Sequence, residues 1–113
     1  MKEIKAYIKP RKLSEATLAL RKVAGLSGMS VSDVRGFGRS DATPGPERLA
    51  EEVMDFLPGV KLEIVCHDDL VDEVVATIEQ AAHTGLRGDG KIFVTSVEMA
   101  VRISTGERGE SVM

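Results

Sequence analysis

Thr84-Gly85-Leu86-Arg87-Gly88-Asp89-Gly90-Lys91 runs directly into Ile92-Phe93-Val94. Three glycines and two basic residues thus lie immediately ahead of a β-like segment. Glycines let a backbone approach an anion closely with its N–H groups turned inward, and a lysine adds a mobile positive charge. The stretch is not a P-loop of the Walker type, because the G-x-x-x-x-G-K-[ST] spacing is absent and Ile92 follows Lys91. Read alone, it is either a phosphate cradle or a plain tight turn, since Gly-Asp-Gly serves both.

Working outward, the segment before the loop has a helical period. Asp68 or Asp69 caps it, Leu70, Val74, Ile78 and Ala81 form its apolar stripe, and Val71, Val75 and Ala82 broaden that stripe. Gly85 suits the position just past its end, and His83 reads as a terminus-stabilising side chain. Upstream, Phe56-Leu57-Pro58-Gly59 reads as a turn into a strand on which Leu62, Ile64 and Cys66 alternate with Lys61, Glu63 and Val65. Cys66 falls on the apolar face as a small core residue, and the adjacent His67 points to the opposite face, which argues against a shared metal. Downstream, Val97, Met99, Val101 and Ile103 alternate with polar neighbours, predicting a last strand broken near 96–98.

The first third of the chain supplies the remaining elements. Ile4, Ala6 and Ile8 alternate through 2–9, with Tyr7 on the polar face, and Pro10 ends the strand. Ser14 reads as an N-cap for a helix over 14–24 carrying Ala16, Leu20 and Val23, closed by Gly25 and Gly28. Residues 29–37 read as a second strand, and Gly36-Phe37-Gly38-Arg39 suggests close backbone approach or a bulge. Pro44-Gly45-Pro46 then forbids regular structure within 40–54, a long loop of the kind that usually carries function or is disordered. The order is β-α-β-β-α-β, which predicts an α+β, ferredoxin-like fold: a four-stranded antiparallel sheet with two helices on one face. The uncovered face is an expected oligomer surface.

The 113 residues make one domain, residues 1–113, with enough apolar content for a modest core. No apolar run reaches the ~20 residues of a membrane span. The N-terminus lacks a signal-peptide pattern, and the single Cys66 cannot form an internal disulfide, so the expected location is cytoplasmic, without membrane insertion. A net charge of −3, no Trp and only four other aromatics argue against nucleic-acid binding.

Several stretches together are similar to one family, over nearly the whole chain. They are Met1-Lys2-Glu3-Ile4 with Ile8-Lys9-Pro10, Gly36-Phe37-Gly38-Arg39, Asp55-Phe56-Leu57-Pro58, Lys61-Leu62-Glu63-Ile64-Val65, Asp68-Asp69-Leu70-Val71-Asp72, the 84–94 stretch, and Val101-Arg102-Ile103 with Thr105-Gly106-Glu107-Arg108-Gly109-Glu110. In order and spacing the chain resembles the PII signal-transduction proteins. The resemblance implies a homotrimer with three intersubunit clefts that bind ATP or ADP. It also implies a T-loop, here about 39–54, that docks onto a transporter, enzyme or regulator. The B-loop would be 84–91 and the C-loop about 104–109. Carried over, Gly88, Asp89, Gly90 and Lys91 would cradle phosphates, and Gly38 and Arg39 would meet them from the T-loop base. Arg102 would reach them from the adjacent subunit, and Ser30 and Val65 would line the adenine pocket, with Gly28, Met29 and Glu63 nearby. Tyr7 would stand at the pocket edge, where the family more often has an aliphatic residue. The physical reading agrees, since two Arg, one Lys and several glycine N–H groups converging on one site suit a polyanion.

The chain departs from the family at informative positions. Ser40 stands where a Gln usually coordinates the magnesium that holds 2-oxoglutarate on ATP. Gly59 stands where a Lys usually pairs with the 2-oxoglutarate carboxylate, and Ser104 where a second Arg usually faces the terminal phosphate. Glu52 replaces the tyrosine that is uridylylated in some members. The expectation is a regulatory protein, not an enzyme, that binds ADP, ATP or AMP and responds weakly or not at all to 2-oxoglutarate; magnesium is left open. Asp41, Glu47, Glu51 and Glu52 suggest a basic partner surface for residues 40–54. The alternatives are a nitrogen-regulatory member sensing ATP, ADP and 2-oxoglutarate, a small ferredoxin-like phosphate-handling enzyme, and an interaction protein that kept the fold and lost the ligand.

Overall fold

The structure is a computed structural model, and it describes residues 1–38 and 56–113. The loop expected over 39–54, with Arg39, Ser40 and Glu52, lies outside the described residues.

Four strands form one antiparallel sheet: β1 Lys2–Ile8, β2 Ser30–Gly36, β3 Leu57–Cys66 and β4 Lys91–Ser96, in the order β2-β3-β1-β4. Helix α1 spans Leu13–Arg21 and α2 spans Val71–Ala82. The chain is therefore the expected βαββαβ, ferredoxin-like α+β fold. Strand alternation decides what is buried. Ile4, Ala6 and Ile8 of β1 and Val60, Leu62, Ile64 and Cys66 of β3 meet Ala16 and Leu20 of α1 and Val74, Ile78 and Ala82 of α2 in one core. Burial pushes the Cys66 thiol pKa up, as expected for a core cysteine. The opposite sheet face carries Glu3, Lys5 and Tyr7, with Lys61, Glu63 and Val65 beside them in register. No helix among the described residues is long and apolar enough to cross a membrane.

The structure differs from the sequence reading at several element ends. A 3-10 turn at Pro10–Lys12 precedes α1, so the helix starts at Leu13 and Ser14 lies inside its first turn; no side chain caps it. Proline is already set for a first helical position, which moves the start forward. Another 3-10 turn, Asp68–Leu70, precedes α2. The centre of the α2 stripe includes Ala82 rather than Ala81, which is only partly buried. His83 is the C-cap, so Gly85, at φ 78°, lies two residues beyond the cap rather than directly after it.

Strand β3 begins at Leu57 and includes Pro58 and Gly59, which the sequence suggests as a turn. The pairing of β1 with β3 ends at Ile8 and Val60, so Pro58 pairs only with β2 and the N–H that proline lacks is not needed on the β1 side. The strand expected over 97–103 does not form. β4 ends at Ser96 opposite Lys2, Val97 N–H donates to the Met1 carbonyl at 3.1 Å, and the only later pairing among the described residues is a bridge from Val101 to Arg108.

Candidate functional site

The α2–β4 connection folds around one carboxylate. Asp89 Oδ2 accepts from the Thr84 N–H at 2.8 Å and from the Gly85 N–H at 3.3 Å. Asp89 Oδ1 accepts from the Thr84 hydroxyl and lies 3.1 Å from Lys9 Nζ. Lys9 also donates to Thr84 Oγ1 at 3.2 Å, and the Leu86 N–H donates to the same oxygen at 3.0 Å. Partial burial works to raise the Asp89 pKa. The hydrogen bonds from Thr84 and Lys9 outweigh it, holding the carboxyl well below the usual range. His83 Nδ1 approaches the same carboxylate at 3.6 Å from an exposed position.

The loop is then pressed onto β1. At Gly90, φ is 108°, and a Cβ built there would fall inside the Tyr7 carbonyl. Only glycine fits, because no side chain can share that space and the backbone region itself disfavours one. Gly88 also has a positive φ of 82°.

This loop faces the end of β2 across a cleft of about 980 Å³. Gly36, Phe37, Gly38, Leu57, Pro58 and Gly59 form one side; Arg87, Gly88, Asp89, Gly90 and Lys91 form the other, with Tyr7 to Arg11 between them. Among the described residues four cations line it, Lys9, Arg11, Arg87 and Lys91, and Asp89 is bonded to Lys9. The Phe37 and Phe56 rings stack with centroids 5.7 Å apart, joining the chain just before residue 39 to the chain just after residue 55. A Cβ at Gly59 would make only ordinary contacts, the nearest with Val34 at 3.5 Å, so there is room for a side chain and residue 59 itself brings no charge to the cleft.

Of the expected site residues, Gly38, Gly88, Asp89, Gly90 and Lys91 come together in this cleft; Arg39 lies outside the described residues. Ser30, Val65, Arg102 and Ser104 do not line it. Ser30 opens β2 opposite Glu63, whereas Gly36 ends β2 beside the cleft. They are six residue steps apart along the strand, about 20 Å at the usual rise. Val65 pairs with Glu3 near that same far end. Arg102 follows the end of β4 where Ser96 meets Lys2, again far from the Lys91 end. Ser104 lies exposed in the turn after it.

Lys9, Thr84 and Arg11 were not among the expected site residues. Lys9 lies just past the end of β1, where a polar side chain is unremarkable, and Thr84 looks like helix-end punctuation. The five-residue reach from Thr84 to Asp89 has no helical or strand period that would reveal it.

A ferredoxin-like sheet whose glycine loop and β2 exit share one cationic cleft defines the class of domain. Comparison with known proteins specifies the family. The profile of the family described as "Nitrogen regulatory protein P-II" matches residues 1–107. The chain is 54% identical over 109 residues to a protein of that name from Azospirillum brasilense, covering 96% of each chain. It is 52% identical over 109 residues to the one from Rhodospirillum rubrum, again covering 96% of each. The protein of the same name from Haemophilus influenzae is 51% identical over 110 residues, covering 97% of each. The chain belongs to the nitrogen regulatory protein P-II family, a family of signal-transduction regulators.

Proposed function

We propose that this chain is a regulatory, non-enzymatic nucleotide sensor. It binds ADP, ATP or AMP in clefts between neighbouring copies of a homotrimer and controls a protein partner through residues 40–54. The carrying observation is the cleft that joins Gly38 to Gly88, Gly90 and Lys91, lined by four cations and floored by a loop whose carboxylate is bonded internally. Gly38, Arg39, Gly88, Gly90 and Lys91 hold phosphates from one copy. Asp89 acts by shaping the loop rather than touching the ligand. The roughly 20 Å between the cleft and the Ser30 end supports a split site. On that reading Ser30 and Val65 meet the adenine, and Arg102 the phosphates, from the next copy, with Ser104 beside them.

The protein responds weakly or not at all to 2-oxoglutarate. Gly59 leaves the cleft without a cation at the position where the family's lysine stands, and Ser40 removes the family's magnesium-coordinating amide. Titration calorimetry with AMP, ADP and ATP, each with and without magnesium and 2-oxoglutarate, tests both halves. Nucleotide binding that is insensitive to 2-oxoglutarate is expected. Lys91→Ala and Arg102→Ala should each weaken it, by about tenfold if one charge-assisted hydrogen bond is lost. Tight, magnesium-dependent 2-oxoglutarate binding on ATP would sink the second half, and unchanged affinity in both variants would remove the cleft.

A further inference from the structure

We propose that Glu107 sets how strongly the site distinguishes nucleotides by phosphate number, because it holds Arg102 in an ion pair that the outer phosphates must share or displace. This rests on the reading above that Arg102 faces the phosphates.

The segment after β4 turns back on itself as a small hairpin. Val101 bridges Arg108, Arg102 N–H donates to the Glu107 carbonyl at 2.8 Å, and Gly106 N–H donates to the Arg102 carbonyl at 2.8 Å. Gly106, at φ 74°, supplies the turn. Within it, Arg102 Nη1 donates to Glu107 Oε1 at 3.0 Å and Nη2 donates to the Val112 carbonyl at 2.9 Å. Both terminal nitrogens of the guanidinium are therefore engaged. The other hairpin cation, Arg108, donates to Met99 Sδ at 3.4 Å. With Ser104 at the tip, Arg102 is the hairpin charge that meets the phosphates on that reading, and a carboxylate 3.0 Å away already offsets it.

The offset falls unequally on different ligands. Attraction to a cation grows with the charge of the anion, so screening Arg102 takes most from ATP and least from AMP. Glu107 thereby narrows the gap between them. The alternative is that Glu107 only staples the hairpin; its loss would then weaken every nucleotide alike.

Glu107→Gln separates the two, because the amide oxygen still accepts from Arg102 while the charge is gone. On the full chain, calorimetry with AMP, ADP and ATP should show ATP binding about two- to fivefold tighter, the range that half-exposed ion pairs reach, with AMP unchanged. ATP binding should also weaken more steeply with added salt. The effect should vanish in an Arg102→Gln background. ATP affinity unchanged or reduced, or equal shifts for all three nucleotides, would overturn the proposal. If the variant melts early, Glu107→Asp, which draws the carboxylate back, should move ATP affinity in the same direction, and the opposite direction or no change counts against it. Arg102→Gln alone leaving ATP affinity intact would instead refute the assignment of Arg102.

Discussion

Asp89 places a negative charge inside a loop proposed to receive phosphate, and that charge would oppose binding if it faced the cleft freely. Its oxygens instead accept from two backbone N–H groups, a hydroxyl and the Lys9 ammonium. One carboxylate thus replaces the hydrogen bonds the chain loses when α2 ends, and it fixes the curvature of the glycine loop. Asp89→Asn should destabilise the protein by about 1–2 kcal/mol, since hydrogen bonds to a charged group are lost but the site is partly solvated. It should also weaken nucleotide binding through a looser loop. The pH dependence has a defined sign. The folded carboxyl is held below its ordinary value of 3.8, so its stabilisation is fully present above that value and is lost as the pH falls further. Thermal melts should therefore show a gap between wild type and variant at neutral pH that narrows below 3.8. A gap independent of pH down to acid unfolding would show that the charge contributes nothing.

At the level of elements, the Phe37–Phe56 stack links the end of β2 to the start of β3, two strands already paired up to Gly36 and Leu57. The rings are more than half exposed, so their value lies in holding the two chain ends together beside the cleft. A double-mutant cycle of Phe37→Ala and Phe56→Ala in denaturant unfolding should give a coupling of about 0.5–1 kcal/mol, toward the low end for aromatic pairs. Additive effects would mean that the stack carries no energy of its own. Most of the element pattern is legible in the sequence because one-sided burial imposes period two on β1 and on β3 from Val60, and a helical period on α2. It fails where context decides. Pro58 and Gly59 resemble a turn, but a strand tolerates them where only one neighbour pairs with it. Met99, Val101 and Ile103 alternate like a strand, yet the β1–β4 pairing stops at Lys2 and Ser96 and the segment beyond it pairs with itself, Val101 against Arg108. The glycine loop is legible as a phosphate-type motif from Gly88, Gly90 and Lys91. Its fastening by Lys9 and Thr84 is not, because that contact joins positions 75 residues apart with no shared period.

For the whole molecule, a single chain leaves two things unfinished. Its expected ligand residues lie at opposite ends of the sheet, and its last segment exposes apolar side chains, with Met99 63% and Ile103 98% exposed. Side chains exposed to that degree on so small a domain are what a subunit interface would cover. Both deficits are met at once if the 99–103 segment of one copy packs beside the cleft of the next, as in the proposed trimer. Burying Ile103 there would contribute about 2 kcal/mol per contact. Ile103→Asp should therefore shift the protein from trimer toward lower mass in sedimentation velocity, and nucleotide affinity should fall in proportion, because each site needs two copies. The monomer fold should survive, since Ile103 touches none of the core formed by the sheet and helices. A variant that stays trimeric with full affinity would remove Ile103 from the interface. A wild-type chain that binds nucleotide as a monomer would remove the split site, because the cleft at Gly38 and Lys91 would then suffice without the Ser30 end of a neighbour.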